Sequence, residues 1–280
     1  MKSKERLFIL GVGAQKGGTT WWSNKCKELG VIFPFGKEAH IWNNVELSNA
    51  NPEKIALFYS KEKNIQHKIL SCVQDPEQYF KICGSISLNR NCPIADITPI
   101  YCSLKEATLS RIRKGLIEQG FTVRVLFFAR DPLSRAWSAH RMGIRRRLRE
   151  NPEKKELLLP GNAYESFARE YLKPYQQIRT RYELILPKLF NVFKQDEIKV
   201  FFYENLFCMN TYELICEFLG LSPANTSFSD IPNPSPAVGE LPTKIASMVA
   251  NYYGETYKYM QQFYPCVDTL WSDSYLLLSN

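Results

Sequence analysis

The sequence predicts an α/β fold of three layers, a central parallel sheet flanked by helices. Three observations carry this: short continuous apolar runs, helical patterns between them, and glycine or polar residues where the runs end. LFILGVG (7–13), VRVLFFA (123–129) and IKVFFYENL (198–206) are the apolar runs, of the kind a strand covered on both faces needs.

The first run begins within MKSKERLFILGVGA, whose basic start and apolar stretch have features of a leader. The stretch passes directly into a glycine-rich turn, so a buried first strand is the better reading. A helix then runs from Thr19 to Leu29, with Gly30 as its C-terminal cap. SLKEATLSRIRKGLIEQG (103–120) spaces Leu104, Ala107, Ile112 and Leu116 for a helix that stops at Gly120. Beyond the second run, Pro132 suits a first helical turn, and that helix extends to about Arg149. Alternating aromatic and charged positions predict a helical insertion over about 150–195, one kinked helix or two depending on Pro187. The third run is followed by the helix NTYELICEFLGL (210–221), then by a long Pro-, Ser- and Asn-rich loop over 222–242, a segment of the kind that often covers a site. The last forty residues read as one amphipathic helix and an aromatic-rich tail ending near Trp271. No repeat or boundary interrupts the chain, so residues 1–280 read as a single domain.

Composition narrows the class. The chain has 280 residues, 45% of them hydrophobic, enough for a real core and too many for a disordered chain. No stretch reaches the roughly 18 apolar residues of a membrane span. Lys and Arg number 36 against 28 Asp and Glu, and the net charge of +8 favours an anionic partner. Eight cysteines (Cys26, Cys72, Cys83, Cys92, Cys102, Cys208, Cys216 and Cys266) form no C-x-x-C pair and no metal-ligand spacing with histidine. Free thiols in a reducing cytoplasm, with no metal, are the expectation.

Three segments carry chemistry. GAQKGGTTWW (13–22) is a strand-to-helix turn in which Gly13, Gly17 and Gly18 surround Lys16. Such glycines let backbone N–H groups converge on an anion, and the helix start adds its positive end. Gln15, Lys16, Gly17, Gly18, Thr19 and Thr20 are the candidate anion-binding residues, in a P-loop-like arrangement. The order departs from G-x-x-x-x-G-K-[ST], since Lys16 precedes the glycine pair. A plain glycine-rich connection would leave the lysine and two threonines unexplained. FGKEAHIW (35–42) brings Lys37, Glu38 and His40 back towards the carboxyl edge of the sheet, where α/β ligands bind. In another place K-E-x-H would be an ordinary solvated helix face. FFARDPLSRAWSAHRMGIRRR (127–147) sets Arg130 just after a buried strand, where its planar fork can grip a phosphate, and Ser138 eight residues on. Asp131 suits the helix N-terminus, and Arg141, Arg145, Arg146, Arg147 and Arg149 form a positive patch facing an anionic acceptor or solvent.

These segments, in this order, resemble PAPS-dependent sulfotransferases, which transfer a sulfuryl group from 3′-phosphoadenosine 5′-phosphosulfate. GAQKGGTTW is similar to the family's 5′-phosphosulfate loop, and RDPLSRAWS to its 3′-phosphate segment of Arg and Ser eight apart. KEAHIW resembles the K-E-x-H-F-F of the heparan sulfate branch, and IADITPIY (94–101) its E-K-T-P-x-Y, with Asp96 in the acidic position. VFFYENLF and LICEFLGL look like the late strand and helix, so the likeness spans about residues 7–221. It implies PAPS as donor and PAP as product, bound by the loop residues, Arg130, Ser138 and Trp21, the last in the place of the Trp that stacks on adenine. It implies Glu38 as general base, with Lys16 and His40 in the catalytic group. It implies a hydroxyl or amine acceptor on a small molecule or saccharide, which the arginine patch would suit if anionic. Ala39 and Ile41–Trp42 depart from the branch's pattern, and no late Lys-Gly-Arg loop is found; Lys244 is a weak substitute. The branch's membrane anchors are absent too, which points to a soluble bacterial or viral member without a nucleic-acid or membrane partner. Two rivals remain: a P-loop nucleotide kinase or triphosphatase, against which the lysine's position argues, and a noncatalytic nucleic-acid binder built on the Arg-rich helix.

Overall fold

The computed structural model describes residues 6–50, 63–228 and 238–278. Among them, strands β1 (Arg6–Gly13), β2 (Ile94–Ile97), β3 (Phe121–Ala129) and β4 (Ile198–Phe202) form one parallel sheet in the order β2-β1-β3-β4. In chain order the helices are α1 (Thr19–Glu28), α2 (Ile41–Ala50), α3 (Lys63–Gln74), α4 (Glu77–Arg90), α5 (Glu106–Glu118), α6 (Pro132–Glu150), α7 (Pro160–Glu170), α8 (Pro174–Gln177), α9 (Tyr182–Val192), α10 (Met209–Leu219), α11 (Thr243–Tyr252), α12 (Gly254–Phe263), α13 (Val267–Leu270) and α14 (Ser272–Tyr275).

The alternation of side chains along each strand makes three layers. Phe8, Leu10 and Val12 of β1 and Val123, Val125 and Phe127 of β3 point to one face, into a large core with α2–α7, α9, α11 and α12. Ile9, Leu126, Phe128 and Phe201 point to the other, against Trp21, Trp22 and Cys26 of α1 and Tyr212, Ile215 and Leu219 of α10. The fold class predicted from the apolar runs is the one observed. After β1 the chain crosses to β2 on one side, then returns past β1 to β3 on the other. The carboxyl ends of β1 and β3 therefore flank the switch point, the place where such sheets bind ligands.

Several details differ from expectation. The third apolar run ends as a strand at Phe202, because its ladder partner β3 ends at the paired Ala129; Tyr203–Asn205 turns in a 3₁₀ helix instead. The C-terminal region is not one helix. α11 ends at Tyr252, α12 starts at Gly254, and the break lets Val249, Tyr253, Tyr257 and Met260 all enter the large core. Gly254 in a continuous helix would itself cost about 1 kcal/mol. In the region 150–195, Pro160–Glu170 and Tyr182–Val192 are separate helices, and Pro187 lies inside the second without ending it. Helices α2–α4 have no counterpart among the elements expected from sequence. β2, only four residues long with an aspartate inside, was read through its likeness to a family segment and not as a strand. Of the loop over 222–242, residues 229–237 lie outside those described. All eight cysteines are free thiols. No described helix is long and apolar enough to cross a membrane, and no group of described side chains has the make-up of a metal site.

Candidate active site

The turn after β1 is shaped by backbone packing. The β1–β3 register slips between Gly11 and Gly13, and the Ala14 N–H donates to the Phe128 carbonyl at 2.9 Å, pinning the loop to β3. A Cβ on Gly17 would lie 2.1 Å from that same carbonyl oxygen, so glycine is required there. Lys16 (φ 71°) and Gly18 (φ 94°) both take the left-handed conformation. Gly18 caps α1, no side chain caps it, and no acidic residue occupies its first turn. The first N–H groups of α1 thus lack an intrahelical acceptor and point out beside Lys16.

The segment after α1 brings its charges to this turn. The Lys37 ammonium donates to Thr20 Oγ1 at 2.6 Å and to Glu38 Oε1 at 2.9 Å. His40 Nε2 lies 3.2 Å from Glu38 Oε2, so both carboxylate oxygens are engaged. His40 is buried and itself left-handed (φ 53°). β2 supplies the support below. Thr98 Oγ1 accepts the Ala39 N–H at 2.9 Å and donates to Asp96 at 2.6 Å, while the Tyr79 and Tyr101 hydroxyls donate to the same carboxylate at 3.1 Å each. Asp96, 1% exposed, thus holds the Glu38–His40 segment from beneath.

Arg130 follows β3 directly. Its Nη1 donates to the Lys16 carbonyl at 3.1 Å, its guanidinium lies 3.9 Å from the centre of the Tyr203 ring, and its buried Nε has no hydrogen-bond partner. Tyr182 fixes the adjoining backbone, donating to the Arg130 carbonyl at 2.8 Å. Asp131 caps α6 by accepting the Ser134 N–H at 2.7 Å, as its position suggested. Ser138 is buried two turns into that helix. Arg141 and Arg145, one turn apart on α6, add their charge to the Lys16 surroundings.

Electrostatics follow from this crowding. Burial, then the charges of Arg145, Arg130, Arg141 and Lys37, pull the Lys16 ammonium down to about 8. Burial pushes the Glu38 carboxyl up, but the His40 hydrogen bond and the Lys37 ammonium outweigh it and hold the group at about 2. The site is a cluster of cations with Glu38 the carboxylate bound to them.

Trp21 does not join the cluster. It lies on the outer face of α1 among Trp22, Phe207 and Phe228, and walls a polar cavity of about 350 Å³ with Asn24, Lys25, Glu28, Asn225, Thr226 and Ser227. Lys25 ties the late segment to α1, donating to the Ser227 carbonyl at 2.9 Å while paired with Glu28 at 3.1 Å. Lys244 is exposed in the first turn of α11. Sequence reasoning missed Tyr203, the Thr98–Asp96 support and this cavity. YEN was read as strand, and nothing local links residues 225–228 to α1.

No family model and no curated protein matches the sequence. The solved structures do. A sulfotransferase from Alicyclobacillus acidocaldarius superposes with a TM-score of 0.52 over 93% of this chain and 96% of its own, at 16% identity. The chain has a sulfotransferase fold. The sulfotransferase domain from the curacin biosynthetic pathway matches with a TM-score of 0.48 (17% identity, 86% of this chain, 82% of that one). The sulfotransferase domain of the Synechococcus PCC 7002 olefin synthase gives 0.43 (16% identity, 85% and 86%).

Proposed function

We propose that the chain is a PAPS-dependent sulfotransferase acting on a hydroxyl or amine acceptor, with Glu38 as general base. One observation carries the reading: Lys16, Thr20, Lys37, Glu38 and Arg130, distant in sequence, meet at the switch-point end of a sulfotransferase fold. The residues fit an anionic donor. The depressed Lys16 and the unpartnered Arg130 Nε describe a cation cluster short of negative charge, and the open start of α1 adds donors.

In this reading Lys16, Gln15, Gly17, Gly18, Thr19 and Thr20 hold the 5′-phosphosulfate, and Arg130 with Ser138 holds the 3′-phosphate. The cavity walled by Trp21 would receive the adenine. When bound, PAPS supplies the sulfuryl group on a phosphate leaving group. Glu38 accepts the proton from the acceptor's hydroxyl or amine. Lys16 and the loop N–H groups stabilise charge developing on the leaving phosphate, and most of the acceleration is positioning and electrostatics. His40 orients Glu38. Asp96, through Thr98, fixes the backbone on which both stand. The K-E-x-H segment supports a reading close to the heparan sulfate branch with a saccharide-like acceptor; a single cytoplasmic domain is part of the same proposal.

The test is a thermal-shift titration with PAP, followed by an acceptor screen with labelled PAPS. PAP should raise the melting temperature and Mg-ATP should not. Glu38→Gln should keep PAP binding while transfer falls by about 100-fold or more. Stabilisation by Mg-ATP alone, or full activity in Glu38→Gln, would overturn the assignment.

A further inference from the structure

A carboxylate whose two oxygens both take hydrogen bonds from neighbouring side chains is a weaker base than one with an open oxygen. Glu38 is such a carboxylate, with Lys37 on Oε1 and His40 on Oε2. The two partners are not equivalent. His40 is buried and its backbone is fixed in the left-handed region beside Thr98, so it stays in place. Lys37 sits on a half-exposed flexible side chain, and its ammonium already reaches the other half of the site at Thr20 Oγ1. Thr20 belongs to the first turn of α1, which has no side-chain cap and no acidic residue.

We propose that Lys37 couples donor occupancy to the base: spanning Thr20 and Glu38 in the free protein, it moves onto the anion at the loop and leaves Glu38 Oε1 open to the acceptor. This rests on the sulfotransferase reading above. The physical cause is competition for one ammonium. A phosphosulfate or phosphate group beside Thr20 offers Lys37 more negative charge than a carboxylate that His40 already shares. The charged groups facing Glu38 and the loop are Lys37 and His40 on the same segment, Lys16 on the turn, and Arg130, Arg141 and Arg145 around α6. Of these, Lys37 is hydrogen-bonded to both the base and the loop. The His40 hydrogen bond and then the Lys37 ammonium hold the Glu38 carboxyl low, and of the two Lys37 is the partner that can leave. With the donor in place, loss of the Lys37 contact and the added negative charge both raise the carboxyl towards its ordinary range. The base therefore becomes stronger when there is a sulfuryl group to transfer.

The competition is measurable without turnover, by calorimetric titration with PAP on four proteins: wild type, Glu38→Gln, Lys37→Met and the double variant. If Glu38 competes with the donor for Lys37, Glu38→Gln binds PAP more tightly than wild type, by about tenfold, a coupling well within the range of interacting pairs. Lys37→Met binds PAP more weakly, and in its background Glu38→Gln changes affinity by less than about twofold. A general charge effect of Glu38 predicts equal tightening in both backgrounds, and that result overturns the coupling. So does unchanged affinity in Glu38→Gln. Crystals of wild type with PAP give an independent check, since Lys37 Nζ must leave Glu38 Oε1, 2.9 Å away in the free protein. A retained contact overturns the proposal even if Lys37→Met fails to fold. If wild type binds no PAP, the sulfotransferase reading falls and the coupling falls with it; PAP binding with equal tightening removes the coupling alone.

Discussion

Lys16 gives the sharpest test of the cation cluster, because its charge should be lost within an accessible pH range. Buried on the turn and surrounded by Arg145, Arg130, Arg141 and Lys37, it is held at about 8 instead of the usual 10.5. In the proposed reading PAP binds the charged form of Lys16, so the apparent dissociation constant should scale as one plus ten raised to the difference between pH and about 8. The factor is about 1.1 at pH 7 and about 11 at pH 9, a tenfold weakening worth about 1.4 kcal/mol. The second ionisation of the PAP phosphates, at about pH 6, is nearly complete by about pH 7.5, so the slope from about pH 8 upward belongs to the lysine. Calorimetry at constant ionic strength from pH 6.5 to 9.5 should show a flat limb, then a fall approaching tenfold per pH unit, with proton uptake on binding near pH 8. Lys16→Arg keeps its charge throughout and should lose the alkaline fall. A flat wild-type profile, or the same fall in Lys16→Arg, would refute the argument. Stability provides a companion measurement. A lysine held below its unfolded value destabilises the free protein fully below pH 8, and the penalty is relieved as pH rises from 8 towards 10.5. Lys16→Met should therefore raise the melting temperature of the free protein at pH 7 while abolishing PAP binding, with the gain shrinking at alkaline pH.

Arg130→Gln removes both the fork and the stacking on Tyr203, and should weaken PAP binding by at least tenfold, about 1.5–3 kcal/mol, with little change in urea stability. Thr98→Val leaves the Ala39 N–H without its acceptor and takes a donor from Asp96; denaturation should show a loss of about 2 kcal/mol, and kcat should fall while PAP affinity holds. Gly17→Ala drives a methyl into the Phe128 carbonyl and should cost about 3 kcal/mol or more, with PAP binding lost in whatever protein folds.

The layering of the sheet was legible because a strand covered on both faces must be apolar along its whole length, and LFILGVG and VRVLFFA are. The glycine-rich turn was legible for a related reason: left-handed backbone and close contact with β3 demand glycine, and the demand is met locally at Gly17 and Gly18. The residues around Glu38 were named from sequence, but their relations were not. Two carboxylate oxygens both engaged, and a lysine shared between Glu38 and the loop, depend on where α1 leaves the chain after its last turn. Asp96 resembled a family position in sequence; only burial beneath Thr98, Tyr79 and Tyr101 makes it a support. The cavity at Trp21 joins α1 to residues 225–228 across about two hundred positions, a separation over which no local pattern carries information. What the sequence determined by itself was therefore the conformation each segment must adopt, since sterics and burial act on neighbours along the chain. The tertiary structure alone decided which charges meet, because Coulomb attraction and hydrogen bonding depend on distances that only the packed sheet sets.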